Sequence, residues 1–137
     1  MDGKRLLVYL LRFDATVLTL AFAAIFLPRD FMAWSNQALG LEALPATPLS
    51  DYLTRSLAAM YGVRGLFVWL ASRDVDRFRP FVVLIGATNV LLGVLLLGID
   101  LYAGLPLLWT LGEGPGIVVV GLLVLWMTSR FVPRRED

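Results

Sequence analysis

Cysteine and histidine are both missing from this chain of 137 residues. Their absence excludes disulfides, thiol redox chemistry, thiolate and imidazole metal ligands, and histidine acid–base catalysis. A haem would need unusual axial ligands. An excess of charge of one sign is lacking too. The net charge is +1, so no global field steers nucleic acid or an acidic partner. The chain has no internal repeat and no low-complexity tract, so nothing points to an inverted-repeat transporter.

Apolar residues dominate instead. They make up 58% of the chain, with a mean hydropathy of +0.76, whereas soluble domains run nearer roughly 45–50%. A spanning helix needs about 20 mostly apolar residues, and four stretches qualify: residues 5–27, 51–71, 80–101 and 105–128. The sequence therefore predicts a single all-α integral membrane domain, a polytopic four-transmembrane-helix bundle. Pro80 and Pro106 sit at helix starts, where a missing N–H is harmless. Ser50 and Asp51 are candidate N-caps for the second helix. The first stretch reads as a retained span, because Arg12 and Asp14 interrupt what a signal peptide keeps uncharged.

Loop charge predicts orientation. Lys4, Arg5, Arg73, Arg77, Arg79, Arg130, Arg134 and Arg135 fall on one side and only Arg29 on the other, where Asp30, Glu42, Asp51 and Asp100 also lie. That bias predicts a multi-pass protein of the bacterial cytoplasmic (inner) membrane with both termini in the cytoplasm. The outer loop, 28–50, contains Phe31, Met32, Trp34, Leu39, Leu41 and Leu44. A short interfacial helix over about residues 30–40 is expected there, capping the bundle or acting as a lid. Trp69, Trp109 and Trp126 read as interfacial belt residues.

Ionised groups in hydrocarbon cost about 2.5–3.5 kcal/mol each on insertion scales, so they rarely persist without a partner or a role. Arg12, Asp14, Arg64 and Glu113 are such groups. At about 1.5 Å per residue, Asp14, Arg64, Asn89 and Glu113 all fall roughly 12–13 Å from a helix end, in one central slab. Arg12 and Asp14 are two residues apart and point to opposite sides. Arg12 is expected to snorkel to headgroups, and Asp14 to face inward and pair with Arg64. Tyr61 shares the Arg64 face. Arg55 is expected to anchor at the interface or pair with Asp51. Gly86 and Gly93 are expected at close helix contacts, and Asn89 to bridge helices. The run Gly112, Glu113, Gly114, Pro115, Gly116 predicts a helix break, because Pro115 removes a backbone bond and clashes with the preceding turn. Arg64 can serve Asp14, Glu113 or both.

Arg64-Gly65, the turn Arg73-Asp74…Arg79-Pro80 and Glu113 in the last helix together give residues 50–128 an organisation that resembles the DoxX-like group of small four-helix bacterial membrane proteins. The resemblance implies a cytoplasmic-membrane protein, some members of that group being similar to subunits of quinone-linked oxidoreductase systems. It carries over no catalytic residue set. The polar residues Asp14, Tyr61, Arg64, Asn89 and Glu113 lead to a non-catalytic subunit or binder of an amphipathic, quinone- or lipid-like ligand. The alternative is a small-solute transporter or proton relay using Glu113 and Asp14, as an oligomer. An enzyme ranks last, since nothing in the spacing selects a reaction. Expected partners are the lipid bilayer, that ligand, and a homo-oligomer or membrane complex. No nucleic acid, metal or cofactor is expected.

Overall fold

The computed structural model describes residues 2–42 and 45–133. Leu44 of the outer loop, and Arg134 and Arg135 of the charge count, lie outside them. The order is α1 (Gly3–Leu20), α2 (Ala23–Phe26), α3 (Arg29–Ala38), α4 (Pro48–Arg73), α5 (Arg79–Ala103) and α6 (Leu107–Phe131). Three segments are long and apolar enough to cross a membrane: Gly3–Phe26, Arg79–Ala103 and Leu107–Phe131. A 25-residue helix is about 37 Å long, more than the roughly 30 Å of a hydrocarbon core. The 26 residues of α4 are long enough, but Asp51, Arg55, Arg64 and Arg73 lower its hydropathy, and it is not one of the three.

Sequence chemistry sets the helix ends. The cap of α4 is Thr47, not Ser50 or Asp51. Its side chain accepts from Ser50 N, and the Ser50 hydroxyl answers the Thr47 backbone in a reciprocal capping box, with Pro48 opening the first turn. Gly104 ends α5 at φ 68°, the left-handed conformation glycine adopts without strain. The first helix is interrupted where a continuous one was expected. Ala21, Phe22, Ala24 and Ile25 each donate to the residue three before, a local 3₁₀-type tightening. Phe22 there packs over Gly62 of α4, where a Cβ would stand 2.6 Å from its ring. The helix in the outer loop is present as α3, with Trp34 exposed.

The four long helices pack α1 on α4, α4 on α5, α5 on α6 and α6 on α1. Two of these seams are built on small residues. Gly65 lies against Ala15 and Thr19. Gly86 and Gly93 of α5 face Gly121 and Gly114 of α6, backbone against backbone. Such approach suits helices in lipid, where association depends on packing because the surroundings are as apolar as the side chains.

The buried apolar core occupies one half only. Leu7, Leu11, Val68, Val82, Val124 and Val132 are fully enclosed near the end where the start of α1 meets the end of α6. That end is tied by the half-exposed Lys4–Asp76 ion pair and by Arg79 Nε donating to Val132 O at 2.9 Å. Towards the α3 end the buried set becomes polar: Asn89, Asp100 and Thr110.

The expected break in the last helix is absent. α6 runs without interruption through Pro115. Proline removes only its own bond to the Leu111 carbonyl, and packing of Gly114 on Gly93 holds the segment to α5. Gly112 and Gly116 have open space where a Cβ would be, so they do not mark an unwound cavity wall.

Candidate functional site

Four helices position the polar groups. Arg64 and Tyr61 come from α4, Asn89 and Asp100 from α5, Asp14 from α1, and Trp109 and Glu113 from α6. Arg64 donates through Nη2 to the Asn89 amide oxygen. Asn89 is 2% exposed, held inside α5 where Gly121 allows α6 to close over it. The Asp14 carboxyl lies beside Asn89 and within electrostatic reach of Arg64.

The expected direct Asp14–Arg64 ion pair is therefore replaced. Among the described residues the ion pairs are Lys4–Asp76 and Arg29–Asp51, both partly exposed. Asn89 is the buried member of this group, while Asp14 and Arg64 are each partly exposed. Its amide oxygen takes the guanidinium, and the Asp14 carboxyl is its neighbour on α1. The second Asp14 oxygen, Oδ2, is buried without a hydrogen-bond partner. Full ion pairing in hydrocarbon would need close approach of two desolvated charges. Asn89 instead places a neutral amide against the guanidinium and next to the carboxyl.

Tyr61 lies within electrostatic reach of both Arg64 and Glu113. Among the described residues Glu113 has no Arg partner. It is neighboured by Trp109, one turn earlier, and by Asp100 on α5. Asp100 was read as an outer-loop charge. It is instead inside α5, 3% exposed, with Oδ2 buried and unpartnered. Its position three residues before the end of an apolar run hides this, because hydropathy registers the end of the run and not the side the residue faces. The α5–α6 register was the usable signal. Leu97 lies against Gly114, which brings Asp100, one turn later, to the level of the buried Thr110.

Glu113 also borders a groove of about 350 Å³ with Leu39, Leu108, Trp109 and Gly112. The walls are apolar and the carboxyl is the one ionisable group among them. A separate cleft of about 220 Å³ lies between α3 and the start of α4. Its principal charges, Arg29 and Asp51, already hold each other, with Nε–Oδ2 at 2.8 Å, so it joins α3 to α4.

One further expectation changes. Arg55 does not pair with Asp51. It donates to the carbonyls of Ile25 and Leu27, past the interruption of the first helix, where backbone acceptors lack helical donors. Arg12 turns outward as expected, its guanidinium 5.9 Å from the Trp69 ring centroid. Comparison of the chain with protein-family models, with curated proteins and with solved structures finds no match.

Proposed function

We propose that this chain is a four-span integral membrane protein, with α4 as the fourth span and both ends cytoplasmic, that holds an amphipathic, quinone- or lipid-like molecule without transforming it. The apolar part lies in the groove of Leu39, Leu108, Trp109 and Gly112, and the polar head meets Glu113. The observation that carries this reading is Glu113 in the wall of an otherwise apolar groove. The Trp109 side chain stands beside the Glu113 carboxyl in the same wall, so a head group meets both an indole N–H donor and a carboxyl acceptor. Ligand pockets combine apolar walls with a few placed polar groups in this manner. The organisational likeness to DoxX-like proteins supports the same choice of ligand class.

Trp109 offers the test. In a variant with Trp34, Trp69 and Trp126 changed to Phe, a short-chain ubiquinone added in mild detergent should quench Trp109 saturably. Gly112→Leu should abolish saturation by filling the groove. Glu113→Gln should weaken binding by about tenfold or more, the worth of a hydrogen bond to a charged group. Linear quenching that is unchanged in both variants removes the proposal.

A proton relay is the second reading, favoured by the buried, unpartnered oxygens of Asp14 and Asp100 and by the electrostatic proximity of Glu113 to Tyr61 and Asp100. It requires pH-driven flux in proteoliposomes that disappears in Glu113→Gln, and flux that persists in that variant excludes it.

A further inference from the structure

Arg12 is costly at its depth and has no acid to offset that cost among the described residues. It lies seven residues, about 10 Å, beyond Arg5 in a helix apolar enough to span a membrane. Its guanidinium turns away from the partly buried Asp14 and sits over Trp69 of α4. Arg5, Tyr9 and Arg12 fall at i, i+4 and i+7, one face of α1. Together with Asp2, Lys4 and Val8 they line an open groove of about 430 Å³. The Lys4 ammonium is engaged by Asp76, and Asp2 is exposed at the mouth, its carboxyl accepting from the Lys4 backbone. The two guanidiniums are thus the uncommitted charges of the groove.

We propose that this groove binds the phosphate headgroup of an anionic phospholipid between Arg5 and Arg12. Guanidinium geometry matches phosphate oxygens in pairs. Basic pockets at helix ends on the positively charged side of a membrane protein take such headgroups. Trp69 marks the same level on the neighbouring helix and holds the Arg12 plane by a cation–π contact. Phe13 and Val17, both exposed, continue α1 toward the membrane interior and give acyl chains an apolar surface, which a soluble anion would not use. The site lies at the opposite end of the bundle from the Glu113 groove. It depends on α1 being a span and not on what occupies that groove.

The experiment measures retained lipid by native mass spectrometry, with phosphatidylglycerol and phosphatidylcholine competing in neutral micelles and glycerol phosphate as the soluble anion. Wild type should prefer phosphatidylglycerol, and each of Arg5→Gln and Arg12→Gln should lose roughly fivefold of that preference. Arg77→Gln, at the same end but outside the groove, should keep it, as should Gly112→Leu. The ratio is read within each variant, so a change in stability does not alter it. Should Arg12→Gln fail to fold, the exposed Arg5→Gln carries the same reading. Equal losses in Arg5→Gln and Arg77→Gln, or glycerol phosphate displacing the lipid, would overturn the proposal.

Discussion

Gly93 of α5 and Gly114 of α6 meet without side chains between them: a Cβ on Gly93 would stand 2.6 Å from the Gly114 carbonyl oxygen. The contact places Glu113, next in the chain, at the α5–α6 seam beside Asp100. Gly93→Val must push backbone from backbone, and overpacking of this kind costs about 1–3 kcal/mol. Gly112→Ala and Gly116→Ala meet open space, and should be neutral or stabilise by up to about 1 kcal/mol through helix propensity. Thermal or denaturant unfolding in one detergent compares the three. A tolerant Gly93→Val would mean the helices are further apart than described.

The hydrogen bond from Arg64 to Asn89 predicts a coupling. Asn89→Leu removes the acceptor for Arg64 and the amide beside Asp14, and should cost about 2–3 kcal/mol, in the range for hydrogen bonds to charged groups. Arg64→Met alone should cost less, since it leaves no cation behind. The double variant should then be more stable than the sum of the two losses, because an unpaired buried Arg no longer arises. A double-mutant cycle measures this directly. Additive losses would show that Arg64 and Asn89 act independently.

Much of the architecture was legible because proline, glycine and apolar length act locally. Pro80 and Pro106 sit at the starts of α5 and α6 and the outer-loop helix lies near the expected residues. Gly86 and Gly93 mark a close contact as expected. What failed depends on partners. Pro115 is a helix breaker by itself, yet neighbouring backbone keeps α6 continuous. Asp14, Arg64, Asn89 and Glu113 could be placed at one depth by counting, and Tyr61 on the Arg64 face, but angle and depth cannot reveal that the guanidinium takes an amide oxygen instead of a carboxylate. Asp100 was missed for the same reason: near the end of an apolar run, loop and buried positions read alike.

Arg55 should control the interruption of the first helix. Its guanidinium serves the carbonyls of Ile25 and Leu27 together, a task for a planar fork with several donors. Arg55→Met should raise amide exchange across residues 21–30 while leaving residues 4–18 unchanged. Arg55→Lys should rescue only in part, because an ammonium does not hold two separated carbonyls in the same geometry. Hydrogen exchange with mass spectrometry resolves the two segments. Uniform exchange in all three proteins would show that the tightened turn needs no tether.

Asp100 and Glu113 come from adjacent helices, and no cation is placed between them among the described residues. Buried Asp100 Oδ2 has no donor. Facing carboxyls of like charge oppose the packing that Gly93 and Gly114 allow, and a protein keeps such a pair only if something uses it. Asp100→Asn and Glu113→Gln should each stabilise the detergent-solubilised protein by about 1 kcal/mol, the scale of removing one like-charge contact. The double variant should add little to either single change, since the repulsion disappears once. Thermal midpoints of the four proteins supply the cycle. If both single changes destabilise instead, the two carboxyls do not oppose each other in the folded protein.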